Sequence, residues 1–293
     1  MKYLEGTTFA ELYTKVMDQI YNHPDYESAP RGLKIKECLN VVMQLNNPLS
    51  NLFKCQKDKS LTLPTGYTKK EICLYLKGTN SVKEFCKASN FWDKIKNPDG
   101  ETINSAYGNL IFNPSLEDGR SQFDWAFDCL RADKDSRQAF MRFNNTSHQF
   151  EGVKDLPCTY IESFHIRQNK LHATILMRSN DICKGLAHDV PSFTLFQYLI
   201  YLRLKEVYPE LELGTYTHLS QSLHVYESDF ELTKKRLEIG IEENGFPMPQ
   251  NWQVIKSNDV DIVIEEKLDN QPQPFDNWEM PENTDFYNWI LNR

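Results

Sequence analysis

Cysteine is the residue type of this sequence best suited to nucleophilic chemistry, and Cys158 is one of seven. It directly precedes residues 159–167, whose apolar and β-branched residues predict a strand. A second predicted strand, residues 171–178, ends at Arg178 and follows a tight turn at residues 168–170. A thiol attacks as its thiolate, and a neighbouring guanidinium lowers the pKa of the thiol. The alternative is an inert thiol packed in the core.

The cysteines as a set argue against a disulfide framework and against a zinc site. All seven are dispersed, and no two are spaced as CxxC. We therefore expect reduced thiols, most of them packed in the core, and no bound metal.

Four other polar residues occupy positions where chemistry and ordinary structure are competing explanations. Glu71 lies within the apolar helical pattern EICLYLKG, and a buried carboxylate needs a partner. His224 and Tyr226 alternate along a predicted strand, which places both side chains on one face, although such residues usually serve packing. Asp189 precedes a predicted helix, residues 192–207, where capping of the helix is the ordinary explanation.

Helices and strands must position these residues, and the spacing of apolar residues predicts where they lie. Strands are expected at residues 33–45, 137–143, 159–167, 171–178, 213–225 and 259–265. Helices are expected at residues 7–22, 68–78, 82–89, 122–131, 192–207 and 227–239. Helices and hairpins without a regular strand–helix alternation predict an α+β fold.

Composition excludes several classes of protein. The 293 residues include 33 Lys and Arg against 41 Asp and Glu, a formal net charge of −8. This balance argues against a binder of polymeric nucleic acid, although a few arginines could still form a nucleotide pocket. No apolar run reaches the ~20 residues of a membrane span, and the N-terminus lacks a signal peptide, so we expect a cytoplasmic protein. Dinucleotide and P-loop motifs do not occur.

Six segments, in order and at sensible distances, resemble the thymidylate synthase superfamily over roughly residues 9–240. They are Glu71–Gly78 with Trp92-Asp93, Asn104–Gly108, Asp135–Arg137, Leu156–Thr159, Arg178–Asp181 with Gly185-Leu186, and Leu223–Tyr226. Thr159, Asn180 and Asp189 make the chain more similar to the phage deoxycytidylate hydroxymethylases than to the synthases. The resemblance implies a mixed, mostly antiparallel sheet packed with helices and a sheet-mediated homodimer. Residues 1–244 would form the catalytic domain, and residues 245–293 a C-terminal extension that closes the active site.

The resemblance also implies roles for individual residues. Cys158 would add to carbon 6 of a pyrimidine, Glu71 and Tyr107 would help to remove the carbon 5 proton, and Asp189 would read the base. Besides Asp189, the nucleotide-binding residues would be Arg31, Arg137, Arg178, Ser179, Asn180, His224 and Tyr226. The folate-binding residues would be Trp92, Asp181 and Gly185. Arg137 would reach the phosphate of the partner subunit, while Gln138 replaces the second arginine that the family usually has there.

Asp189 stands where relatives that act on uracil carry an Asn. An amide donates to uracil oxygen 4 and accepts from the ring N–H, whereas cytosine reverses both groups. A carboxyl, protonated or paired with a protonated ring, matches cytosine. We therefore expect hydroxymethylation of dCMP, with 5,10-methylenetetrahydrofolate as co-substrate and no metal. The alternatives are a thymidylate synthase acting on dUMP, a dCMP or CMP C5-methylase or hydroxymethylase of the same fold, and a non-catalytic nucleotide-binding relative.

Overall fold

The structure is a computed structural model that describes residues 1–269 and 283–291, folded as two compact units. The first unit consists of Met1–Pro64, Cys158–Gln197 and Glu212–Phe246. The second consists of Thr65–Pro157, Tyr198–Leu211 and Pro247–Arg293. Within the described residues, no helix has both the length and the apolar character needed to cross a membrane. The expected division at residue 244 stays a prediction.

Strands and helices alternate irregularly along the chain, as an α+β fold requires. The strands are β1 Lys2–Gly6, β2 Tyr26–Ser28, β3 Ile35–Leu45, β4 Leu52–Lys54, β5 Phe140–Arg142, β6 Thr159–Arg167, β7 Lys170–Met177, β8 Asn180–Asp181, β9 Glu212–Tyr226 and β10 Glu242–Asn244. The α-helices are α1 Phe9–Asn22, α2 Thr65–Lys77, α3 Val82–Ala88, α4 Phe91–Ile95, α5 Tyr107–Phe112, α6 Gln122–Ala132, α7 Ala187–Lys205, α8 Phe230–Ile239, α9 Asn258–Leu268 and α10 Thr284–Leu291.

A mixed sheet forms the centre of the first unit. Its strands run in the order β1-β3-β9-β7-β6, while β2 pairs with β3 and β8 pairs with β9. The pairs β3·β9 and β6·β7 are antiparallel, and the pairs β1·β3 and β7·β9 are parallel. The hairpin between β6 and β7 turns at Gln168 and Asn169, whose φ angles of 50° and 60° are those of a tight turn that follows the twist of the strands.

Helix α7 begins earlier than its apolar pattern predicts. The helix was expected from residue 192, but it starts at Ala187 and includes Pro191. The helix follows directly on a π turn at Ile182–Leu186, and Pro191 is its fifth residue. A backbone N–H at this position would bond to the carbonyl of Ala187, so the proline removes one hydrogen bond of the helix. Asp189 therefore lies inside the first turn, and the alternative explanation that it caps the helix is wrong.

Residues 259–265 were expected as a strand, and this prediction is wrong. They lie in α9, which contacts α2 within the second unit. Val260, Val263 and Ile264 are buried, and their spacing of three and four residues is helical. The β-branched residues that suggested a strand lower helix propensity only slightly, so burial of one face decides the structure.

One smaller difference and one stabilising contact concern the second unit. The strand expected at residues 137–143 is shorter and covers only Phe140–Arg142. The turn-rich segment before Tyr107 is held by Asp155, whose Oδ2 accepts backbone N–H bonds from Asn104 at 2.7 Å and Ser105 at 2.8 Å. This long-range carboxylate fixes the point at which α5 starts.

The close contact between α5 and α2 should depend on Gly108. A Cβ built on Gly108 would lie 1.9 Å from the backbone oxygen of Tyr75, which cannot move without the helix. We expect Gly108→Ala to lower the free energy of unfolding by about 2–3 kcal/mol, because the two helices would have to separate. Chemical denaturation measures the change.

The matched control is Gly66→Ala in the first turn of α2. No atom lies within 4 Å of a Cβ at Gly66, so this variant should be neutral or stabilised by up to about 1 kcal/mol. Equal stability of the two variants would contradict the close contact.

Candidate functional site

One end of the sheet in the first unit gathers most of the residues singled out from the sequence. In the register, Thr159 pairs with Met177 and Met177 with Ser220. Further along β9, Leu223 and His224 pair with Asn180 and Asp181, and Tyr226 pairs with Ile35. The chain therefore brings the start of β6, the segment after β7, the end of β9 and the start of β3 to the same end of the sheet.

Cys158 and Arg178 lie opposite one another at this end of the sheet. The N–H of Arg178 donates to the backbone oxygen of Cys158 at 2.8 Å, which extends the β6·β7 ladder by one residue. Opposite residues of an antiparallel ladder project from the same face. Cys158 forms no disulfide and is partly buried. The strand register thus places the two side chains on one face of the ladder. The effect of the Arg178 guanidinium on the Cys158 thiol stays a prediction.

Asn180 and Asp189 form a side-chain pair next to Gly185. Asn180 is buried, and its Nδ2 donates to Oδ2 of Asp189 at 2.7 Å. Burial raises the pKa of Asp189 from its ordinary value of 3.8 to about 6, although the Asn180 hydrogen bond lowers it and Asp181 raises it further. A Cβ on Gly185 would lie 3.4 Å from both Asn180 Oδ1 and Asp189 Oδ2. A glycine at this position leaves room beside the pair.

Asp181 and His224 are paired residues of β8 and β9, and the His224 ring meets the Tyr226 ring edge-on at 5.1 Å. Asp181 Oδ1 accepts from the N–H of Cys183 at 2.8 Å and from the N–H of Lys184, whereas its buried Oδ2 has no partner among the described residues. Burial raises the pKa of Asp181 and lowers the pKa of His224.

Arg31 and Ser179 flank this end of the sheet. Arg31 is exposed, has a left-handed φ of 55°, and lies four residues before Ile35, the partner of Tyr226. Ser179 is partly buried and links β7 to β8. Both residues therefore lie near the end of the sheet that holds Arg178. In the described part of the chain, neither side chain forms a hydrogen bond or an ion pair with the residues there.

Glu71 has the partner that its burial demands. It lies in α2, is 7% exposed, and accepts a hydrogen bond from the Tyr67 hydroxyl at 2.7 Å. Tyr67 was not identified from the sequence, although its position four residues before Glu71 is the spacing of neighbours on a helix surface. The Tyr67 hydroxyl therefore satisfies one oxygen of the buried Glu71 carboxyl group.

Tyr107 and Trp92 are buried in the second unit. The Tyr107 ring stacks on Tyr75 at 5.7 Å and meets Phe143 edge-on at 5.0 Å. The Trp92 ring packs edge-on against Phe85 at 5.1 Å. The buried Nε1 of Trp92 has no acceptor among the described residues, which ordinary core packing does not explain.

Arg137 and Gln138 are exposed residues between α6 and β5. Together with Arg120 and Arg131 they line an open surface cavity of about 900 Å³. The Gln138 backbone oxygen accepts from Trp125 Nε1 at 3.0 Å, which holds this segment against α6. Arg137 is thus presented to solvent.

The unsatisfied buried groups include an acceptor on Asp181 in the first unit and a donor on Trp92 in the second unit. Groups of each kind hydrogen-bond ligands that carry amino or carbonyl substituents. Across residues 1–269 and 283–291, no three His, Cys, Asp or Glu side chains cluster as a metal site.

Comparison with known proteins confirms the relationship predicted from the sequence. The family described as Thymidylate synthase matches residues 11–270. The chain is 25% identical over 287 residues to the deoxyuridylate hydroxymethyltransferase of Bacillus phage SP01, covering 85% of this chain and 66% of that protein.

Two further phage proteins match a shorter part of the chain. The deoxycytidylate 5-hydroxymethyltransferase of Enterobacteria phage T4 is 30% identical over 173 residues, which is 57% of this chain and 69% of that protein. The thymidylate synthase of Bacillus phage phi3T is 30% identical over 178 residues, which is 59% of this chain and 60% of that protein. The matches thus span about two thirds of the length of these relatives.

The raised pKa of Asp189 predicts a pH-dependent stability. The folded state holds the proton more tightly than the unfolded chain, so the stability linked to this group is full below about pH 4 and is lost as the pH rises to about 6. We expect Asp189→Asn, which carries no charge, to be more stable than the wild type by up to about 3 kcal/mol near pH 7.5. The difference should vanish near pH 4.

Urea unfolding at both pH values measures this difference. The exposed Glu101→Gln provides the control for loss of one carboxylate and should show no such pH dependence. A stabilisation of Asp189→Asn that is equal at both pH values would contradict the buried charge.

Proposed function

Because the chain belongs to the thymidylate synthase family, we propose that it transfers one carbon to carbon 5 of dCMP and forms 5-hydroxymethyl-dCMP. The co-substrate 5,10-methylenetetrahydrofolate supplies the carbon. The observation that carries the proposal is the hydrogen bond between Asn180 and Asp189, which together we call the base-reading pair. A carboxyl group there complements cytosine.

The base-reading pair orients Asp189 for this task. Asn180 occupies Oδ2, so a proton on the carboxyl group resides on Oδ1. Protonated Asp189 would then donate to ring nitrogen 3 and accept from the amino group of cytosine. The pKa of about 6 keeps the protonated form within reach, and a matching base stabilises it further.

Cys158 would act as the nucleophile and Arg178 as its electrostatic support. The register that places them opposite each other favours the thiolate in the first step, addition to carbon 6. Arg31, Arg178 and Ser179 would bind the phosphate, since guanidinium groups match phosphate oxygens in charge and geometry. His224 and Tyr226, packed edge-on, would bind the sugar hydroxyl.

Further residues of both units would handle the proton of carbon 5 and the folate. Glu71, already hydrogen-bonded to Tyr67, and the buried Tyr107 would remove the proton with the help of water. Trp92 and Asp181 would bind the pterin through their unsatisfied donor and acceptor. Gly185 would leave space for it beside the base-reading pair.

The outer face of the sheet supports a homodimer. Val42, Leu219, Leu176 and Ile161 form one registered row across four strands, and all four are only partly buried. An apolar row of this kind across a sheet favours burial against a second copy. In such a dimer, the exposed Arg137 would serve the phosphate site of the partner.

Base preference tests the proposed function. The wild type should prefer dCMP over dUMP, and Asp189→Asn should shift the ratio of kcat/KM values toward dUMP by about 10- to 100-fold, because each mismatch leaves a buried polar group unpaired. Cys158→Ala should be inactive on both nucleotides while still binding them.

A wild type that prefers dUMP would instead favour deoxyuridylate hydroxymethylation, the activity named for the SP01 relative that matches 85% of the chain. Mass analysis of the products distinguishes methyl from hydroxymethyl. Full turnover by Cys158→Ala would contradict the covalent mechanism.

Mixing inactive variants tests the shared active site. Cys158→Ala and Arg137→Ala should each be inactive or strongly impaired alone. After exchange of subunits, half of the dimers are mixed, and one of their two sites has both residues, so about a quarter of the full activity should return.

Leu219→Asp, introduced into both variants, should prevent this recovery by placing charge in the apolar row. Sedimentation reports the dimer directly. No recovery from a confirmed mixed dimer would contradict the role of Arg137 across the interface.

A further inference from the structure

A second set of polar side chains lies on the core face of the sheet. Glu162 in β6 pairs with Ile175 in β7, and Ile175 pairs with His218 in β9. Residues opposite one another in a sheet project from the same face, so Glu162 and His218 face the same side. Ser220 lies two residues beyond His218 and shares that face.

These three side chains are buried without satisfying their polar atoms. Glu162 and Ser220 have no exposed surface, and His218 is 1% exposed. Within the described part of the chain, both carboxyl oxygens of Glu162, Nε2 of His218 and Oγ of Ser220 have no hydrogen-bond partner. Buried polar atoms are nearly always bonded, so four such atoms in one region require a ligand.

The protonation states of the group define what that ligand must offer. Burial raises the pKa of Glu162 well above its ordinary value, so the group is a neutral acid, and burial lowers the pKa of His218 to about 3. The Tyr216 hydroxyl and Nδ1 of His218 are hydrogen-bonded at 2.9 Å. A neutral imidazole has one donor and one acceptor nitrogen, so in either tautomer the buried Nε2 of His218 needs a partner.

Water is the ligand that fits these groups. Glu162 and His218 are two strands apart, which separates their Cα atoms by about 10 Å. Among the described residues, no hydrogen bond joins the Glu162 carboxyl group to Nε2 of His218. A water molecule donates and accepts, and buried waters typically bind two to four otherwise unsatisfied groups.

The proposed water site adjoins the base-reading pair. Ser220 pairs with Met177, and the Met177 sulfur lies 2.8 Å from Asn180 Nδ2, the same atom that bonds Asp189. The buried Oδ1 of Asn180 also lacks a partner among the described residues. The unsatisfied atoms thus extend from Glu162 to the amide that orients Asp189.

Helix α7 closes the same face of the sheet. Gln197 donates to the backbone oxygens of Leu171 and Thr215, which are residues of β7 and β9. Asp189 lies eight residues earlier on α7, within the same helical stripe. The helix that carries the base-reading carboxyl therefore lies over the strands that carry the unsatisfied groups.

We propose that Glu162, His218 and Ser220 form a binding site for ordered water, and that this water holds Asn180, and through it Asp189, in the orientation that reads the base. Glu162 is a positioning residue and does not touch the substrate. The effect on base selection rests on the proposed function, whereas the water site itself does not.

Two variants of Glu162 separate positioning from packing. Glu162→Gln keeps a donor and an acceptor, so it should retain the water and a dCMP/dUMP ratio within about twofold of the wild type. Glu162→Leu removes both groups, so it should lose the water. Its dCMP/dUMP ratio should fall by about tenfold, which is the effect of one misplaced hydrogen bond. Glu162→Leu should nevertheless resist urea at least as well as the wild type, because it buries no unsatisfied polar group.

Phe164→Leu, on the same strand and face, is the control for altered packing. It should lower stability and leave the ratio of kcat/KM values unchanged. Equal ratios for the wild type and Glu162→Leu would overturn the positioning role, and a loss in Glu162→Gln as large as in Glu162→Leu would do the same.

High-resolution crystal structures of the wild type and both variants test the water site without any activity measurement. The wild type and Glu162→Gln should show water within hydrogen-bond distance of residue 162 and of His218 Nε2, and Glu162→Leu should not. Absence of water in the wild type would overturn the site. A wild type that contains this water but prefers dUMP would contradict the proposed function and the cytosine-selecting role, and would leave the water site established.

Discussion

The pairing of β7 on both of its edges is the constraint on which the candidate site depends. β7 is antiparallel to β6 and parallel to β9, and it ends where β6 begins. This arrangement places Cys158 opposite Arg178 and leads directly into Asn180 and Asp181 beside the end of β9. A shift of one residue would move every side chain of β7 to the other face, so the register of the core and the geometry of the site are inseparable.

The same sheet end concentrates polar groups that reduce stability. Asp189, Asp181 and His224 are all shifted in pKa by burial, and Glu162 is fully buried without a partner among the described residues. A protein selected only for stability would carry apolar residues at such positions. Local violations of packing rules that cluster at one place are expected of a functional site, where a ligand completes the missing interactions.

The second unit holds its candidate residues in a different way, through close helix packing. Gly108 brings the start of α5 against Tyr75, and Asp155 fixes the segment that precedes it. Glu71 obtains its hydrogen bond from a tyrosine one turn earlier on its own helix. These contacts fix Glu71 and Tyr107, the two residues proposed to remove the proton of carbon 5.

The sequence by itself determined the α+β class, the hairpin of β6 and β7, and the relationship to the thymidylate synthase family, because periodicity and short motifs are local properties of the chain. It also indicated that the carboxyl of Glu71 needs a partner. Only the tertiary structure decided that residues 259–265 form a helix and that Asp189 lies inside α7, since burial against distant residues overrides local preference. The sequence did not reveal that the Glu162 carboxyl group lacks hydrogen-bond partners among the described residues. Its alternation with the buried Phe164 and Ile166 indicates the face of the strand that it occupies, but a strand pattern does not show which atoms a side chain contacts there.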